Sequence, residues 1–131
     1  MIGSESGICV HLLDPMPGAV VARLTDGLRE RGHRVELRGD TFASCSARVR
    51  TDTILAVDST RRGPRSREPI ADVFLTSRPL EAGDGTAVST AASPEHHAAI
   101  VGVPEAAGPA RFAPELASRV LNLVLRELKR L

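Results

Sequence analysis

A chain of 131 residues, 42% of them hydrophobic, is long enough to close one compact domain that buries around two-thirds of its unfolded surface without disulfides or metal. Seventeen basic residues against sixteen acidic ones leave a formal charge of +1, which gives no electrostatic reason to expect nucleic acid or a membrane surface as a partner. Three Phe with no Tyr or Trp offer no platform for stacked bases, and no stretch approaches the roughly 20 apolar residues of a membrane helix. A single cytoplasmic domain over residues 1–131 is the expectation.

Residues 8–13 form a short continuous apolar run, the pattern of a central parallel strand buried on both faces. The run stops at Asp14-Pro15-Met16-Pro17-Gly18. Val20, Val21, Leu24 and Leu28 then fall on one helical face, and Gly32 follows as a left-handed cap would. Val35 and Leu37 mark a second strand. Residues 41–50 could supply a crossover helix before a third strand at 53–57. Residues 59–69 form a basic loop broken by Gly63, Pro64 and Pro69.

Residues 70–76 read as a fourth strand, 81–95 as an exposed loop of small residues, and 99–103 as a fifth strand. Pro114 opens a final helix in which Leu116, Val120, Leu123, Val124 and Leu128 recur at three- and four-residue spacing. The alternation predicts an α/β fold: a mainly parallel five-stranded sheet with helices on both faces and ligands bound beyond the C-terminal strand ends. Those ends are residues 14–18, 38–41, 58–65 and 76–80.

The string Gly7-Ile8-Cys9-Val10-His11-Leu12, the segment from Leu28 through Gly32 to Leu37, and Gly39-Asp40 resemble the first third of the adenylyl-sulfate kinases. Residues 54–65 are similar to that family's strand and Ser-Pro-x-Arg-x-x-Arg segment. Ala71-Asp72-Val73-Phe74-Leu75-Thr76-Ser77-Arg78-Pro79-Leu80-Glu81 resembles its Thr-Pro-Leu-Glu strand and turn, and Ser93-Pro94-Glu95 a Ser-Pro-Glu before its next strand. The resemblance touches about half the chain and implies a truncated P-loop-kinase-like fold. The departures concern catalysis. The family's G-x-x-x-x-G-K-[ST] loop gives way to Asp14-Pro15-Met16-Pro17-Gly18-Ala19, and the only lysine is Lys129, so no side chain is available to neutralise transferred phosphates there.

On this resemblance Asp40 matches the carboxylate that acts on the substrate hydroxyl, although an Asp there also suits a helix N-cap. Ser59, Arg62 and Arg65 are the candidate ligand-binding residues, suited to a phosphate or sulfate through bidentate donation; a merely solvated basic loop is the other reading. Asp58 is a turn residue or a metal carboxylate. Cys9 and Cys45 read as buried thiols and His11 as a core histidine. Adjacent His96 and His97 point to opposite faces of an extended segment, so no metal site is expected, and no cofactor.

The function implied is a catalytically defective adenylyl-sulfate-kinase-like protein, a pseudokinase with a degenerate Walker A loop, acting as a binding or partner subunit. The alternative is a small-molecule kinase or an adenylyl-sulfate- or nucleotide-binding enzyme with an atypical phosphate loop. The apolar stripe of the last helix and the shortened crossover suggest a homodimer or a complex with a full-length relative. Adenylyl sulfate or another anionic small molecule is the ligand expected.

Overall fold

The computed structural model describes residues 7–39, 49–50, 70–94, 97–108 and 113–130. Its strands are β1 (Gly7–Leu12), β2 (Arg34–Gly39), β3 (Val49–Arg50), β4 (Ile70–Thr76), β5 (Leu80–Glu81), β6 (Ala87–Val88), β7 (Thr90–Ser93) and β8 (Ala98–Gly102), and its helices α1 (Gly18–Glu30) and α2 (Pro114–Leu128). One five-stranded sheet has the order β2-β1-β4-β8-β7. Every pairing in it is parallel except β7 with β8. The protein is therefore α/β with a mainly parallel sheet, as the alternation of apolar runs predicts.

Alternation along each strand separates the two faces of this sheet. Ile8, Val10, Val73, Leu75 and Val101 turn to one side, where Val20, Leu24 and Leu28 of α1 and Leu116, Ala117, Val120, Leu121 and Val124 of α2 complete a single apolar cluster. Both described α-helices thus lie on the same face, in place of the expected helix on each. On the opposite face Phe74, Ala98 and Ile100 join Leu13 and Leu80 in a second cluster.

α1 starts behind Pro17, with Val20 and Val21 N–H donating to the Pro17 carbonyl. It ends as its sequence dictates: Gly32 adopts φ +88°, its N–H reaches Arg29 O, and His33 N–H reaches Leu28 O at 3.2 Å. These are the two bonds of a Schellman cap. α2 has Pro114 in its first turn and Glu115 beside it, both favourable at a helix start.

Two expectations fail locally. The crossover helix proposed for 41–50 does not reach its end, because Val49–Arg50 pairs in parallel with Leu80–Glu81, which also pairs with Ala87–Val88. The stretch read as a loop of small residues contains β6 and β7. Gly85 at φ +88°, with the Asp84 carboxylate accepting from Thr86 N–H, closes the turn between β5 and β6; Ala91 and Ala92 pair across from Ile100 and Ala99. Backbone pairing does there what an apolar period would otherwise have advertised. The third strand expected at 53–57 lies outside the described residues. Neither described helix is long and apolar enough to cross a membrane.

Candidate functional site

Cys9 and His11 are two residues apart on β1 and so project from the same side of the sheet, away from the helices. The parallel register sets Asp72 of β4 directly beside Cys9 and Phe74 beside His11. The imidazole lies flat on the Phe74 ring, with centroids 4.5 Å apart and planes 15° from parallel, while its Nε2 stands 2.8 Å from Asp72 Oδ1. Cys9, His11 and Asp72 are only 7%, 5% and 6% exposed. Their donor atoms all fall within 4.8 Å of one another, the one grouping of at least three such side chains among the described residues close enough to share a metal ion.

A thiolate, an imidazole and a carboxylate together make a borderline-soft donor set that suits Zn²⁺ and its neighbours rather than Mg²⁺ or Ca²⁺. Ligands of a tetrahedral zinc sit roughly 3.3–3.7 Å apart given bonds of about 2.0–2.3 Å. The 2.8 Å His11–Asp72 contact is the length of a hydrogen bond, so a metal would displace the proton the pair shares and spread the two groups by less than an ångström. Without metal, the pair satisfies itself in the core. The residues fit a three-ligand site with one position left for water or a further donor.

A second polar cluster joins the C-terminal ends of β1 and β4. Asp14 Oδ1 accepts from Ser77 N–H at 2.7 Å and from the Ser77 hydroxyl, and Oδ2 accepts from the Thr76 hydroxyl. The Arg78 guanidinium lies 3.8 Å from Oδ2. This carboxylate is committed to tying two strand ends together. The turn expected to stand where a phosphate loop would be is therefore closed by an internal anion, and Pro15 and Pro17 withhold two N–H donors besides.

A third feature is at the end of α2. Glu127 continues the buried stripe of that helix and is 0% exposed. Neither carboxylate oxygen has a hydrogen-bond partner. Among the described residues its nearest cations are Arg126 Nε at 3.7 Å and Arg130 Nη1 at 3.6 Å, on side chains 63% and 60% exposed.

Asp40, Ser59, Arg62 and Arg65 all fall outside the described residues, as do Asp58, Cys45 and His96. The described grouping of Cys9, His11 and Asp72 escaped the sequence reading, which took the thiol and the imidazole one at a time. A signal was present: three metal-ligating residue types inside two runs that otherwise read as wholly buried strands, where an Asp is rare unless paired.

No protein-family model and no curated protein matches the sequence. The fold, however, is similar to solved structures of archaemetzincins. The Methanopyrus kandleri protein superposes with a TM-score of 0.71 at 22% identity, covering 96% of this chain and 72% of that one. The Archaeoglobus fulgidus protein, solved in complex with malonate, gives 0.67 at 18% identity, with 93% and 75% covered. These likenesses establish the fold and overturn the adenylyl-sulfate-kinase assignment, together with the pseudokinase and degenerate Walker A readings that hung on it. The shared layout of strand, turn, helix and strand belongs to parallel α/β sheets at large and misled on family.

Metzincins hold zinc through H-E-x-x-H-x-x-G-x-x-H. The histidines of this chain are His11, His33, His96 and His97, and none is followed by Glu, so that motif does not occur in these residues.

Proposed function

We propose that this chain is a metal-binding protein on an archaemetzincin-like scaffold, taking a borderline transition metal, zinc foremost, through Cys9 Sγ, the His11 imidazole and an Asp72 oxygen. The observation that carries this reading is the convergence of those three donors on one sheet face, buried and held by strand register. Cys9, His11 and Asp72 would hold the metal, which would supply Lewis acidity there. The chain's own contribution is orientation: the Phe74 face fixes the plane of the His11 ring, and Asp72 is fixed from behind by its N–H, which donates to His97 O at 2.9 Å. Peptide hydrolysis by the metzincin route is not part of the proposal, since the histidines that route needs do not occur at its spacing in these 131 residues.

Zinc uptake measured against a chromogenic chelator tests it. The wild type should take up one equivalent. Cys9→Ser and His11→Ala should abolish the tight site, and Asp72→Asn should weaken it about 10–100-fold, with far-UV circular dichroism showing each variant folded. Affinity should fall as pH falls, because protons compete for the thiolate and the imidazole. Equal uptake by wild type and a folded His11→Ala protein would contradict the assignment. Cleavage of a casein substrate by the zinc-loaded wild type would contradict the exclusion of peptidase chemistry.

A further inference from the structure

α2 stops at Leu128, and the stretch across its C-terminal end reads Arg126-Glu127-Leu128-Lys129-Arg130, with Lys129 the cap and Arg130 in the turn that follows. In H-E-x-x-H the two histidines, four residues apart, share a helix face and a metal ion, and the Glu sits between them. Here the Glu is present at that spacing and both flanking positions are Arg. The Glu is also the most anomalous polar side chain of the described structure: wholly buried, with neither oxygen hydrogen-bonded. An isolated buried carboxylate is costly unless something compensates its charge. The two groups that approach it are the guanidiniums of Arg126 and Arg130, at 3.7 and 3.6 Å.

We infer that Arg126 and Arg130 are charge replacements for a metal: two covalently attached cations that compensate Glu127 where a zincin helix would use an ion held by two histidines. The long, exposed stems of both Arg side chains let their charged ends lie over a carboxylate that is itself out of water. The site is thereby self-neutralised and excludes metal, since guanidinium offers five donors and no acceptor or lone pair for a cation. This inference does not depend on the Cys9, His11 and Asp72 site, which lies on the opposite face of the sheet.

The test is Arg126→His/Arg130→His in the full chain, compared with its Arg-containing parent and with Arg126→Ala/Arg130→Ala. Zinc equivalents gained over the parent are counted, so that metal held at Cys9 cancels. At micromolar zinc the His variant should gain one equivalent and show a zinc-dependent rise in melting temperature beyond the parent's, and the Ala variant should gain neither. A folded His variant that gains no metal would overturn the inference, as would an Ala variant that gains as much as the His variant. Should the His variant not fold, Glu127→Gln decides. It should restore most of the melting temperature lost in Arg126→Ala/Arg130→Ala, because the charge needing compensation is gone; no restoration would overturn the inference.

Discussion

Asp14 shows how a residue's chemistry is decided by what the fold brings to it. In the sequence it is a negative charge in the turn where the resemblance to a kinase puts a phosphate loop. In the structure it accepts from Ser77 N–H and from two hydroxyls that arrive from 62 and 63 residues away. Asp14→Ala would leave a backbone N–H and two hydroxyls short of their acceptor, each worth about 1–3 kcal/mol when buried. We predict a loss of about 3 kcal/mol by urea denaturation, with unchanged zinc uptake; a loss below about 1 kcal/mol would show that the strand ends hold without it. Glu105 marks the opposite case. Its carboxyl is held below the ordinary value, first by its own backbone N–H, against the raising effect of burial, with the Arg119 guanidinium adding to the lowering. A depressed folded value contributes stability above the unfolded value and loses it as pH falls through the folded one. Both side chains are well exposed, so screening leaves little. Glu105→Gln should shift acid stability by less than about 1 kcal/mol.

Among the elements, β1, α1, β4, β8 and α2 were legible because each carries its own signal: a continuous apolar run for a buried parallel strand, or a 3.6-residue period closed by Gly32 or opened by Pro114. β7 was not, because Thr90-Ala91-Ala92-Ser93 has no hydrophobic contrast and exists by pairing with β8. Two glycines separate local from packing effects. At Gly32, φ is +88° and nothing lies within 4 Å of an added Cβ, so Gly32→Ala should cost about 1–2 kcal/mol purely through its left-handed backbone. At Gly27 in α1, a Cβ would come within 2.5 Å of a Leu121 methyl of α2. Ala would gain about 1 kcal/mol of helix propensity, but overpacking against a Leu that is 3% exposed costs about 1–3 kcal/mol. Gly27→Ala should therefore destabilise by about 1 kcal/mol; a stabilised variant in the same denaturation assay would mean that the α1–α2 contact yields freely.

Across the whole molecule, the sheet divides the labour. One face is closed by α1 and α2 around an aliphatic core; the other carries the one buried cluster of thiol, imidazole and carboxylate found among the described residues. Hydrophobic patterning made the α/β class readable. It could not reveal the cluster, because Cys9 and His11 meet Asp72 across 61 residues or more only once β1 and β4 pair in register. Nor could it settle the family, since the kinases and the archaemetzincin-like scaffold share the same opening order of strand, turn and helix. The measurement that bears most directly on the proposed function is the optical spectrum of the Co²⁺-substituted wild type beside its Cys9→Ser variant. We predict tetrahedral ligand-field bands accompanied by a thiolate-to-metal charge-transfer band that Cys9→Ser removes. A wild-type spectrum of octahedral aqueous Co²⁺, unchanged by the substitution, would contradict the proposal that this sheet face is a metal centre.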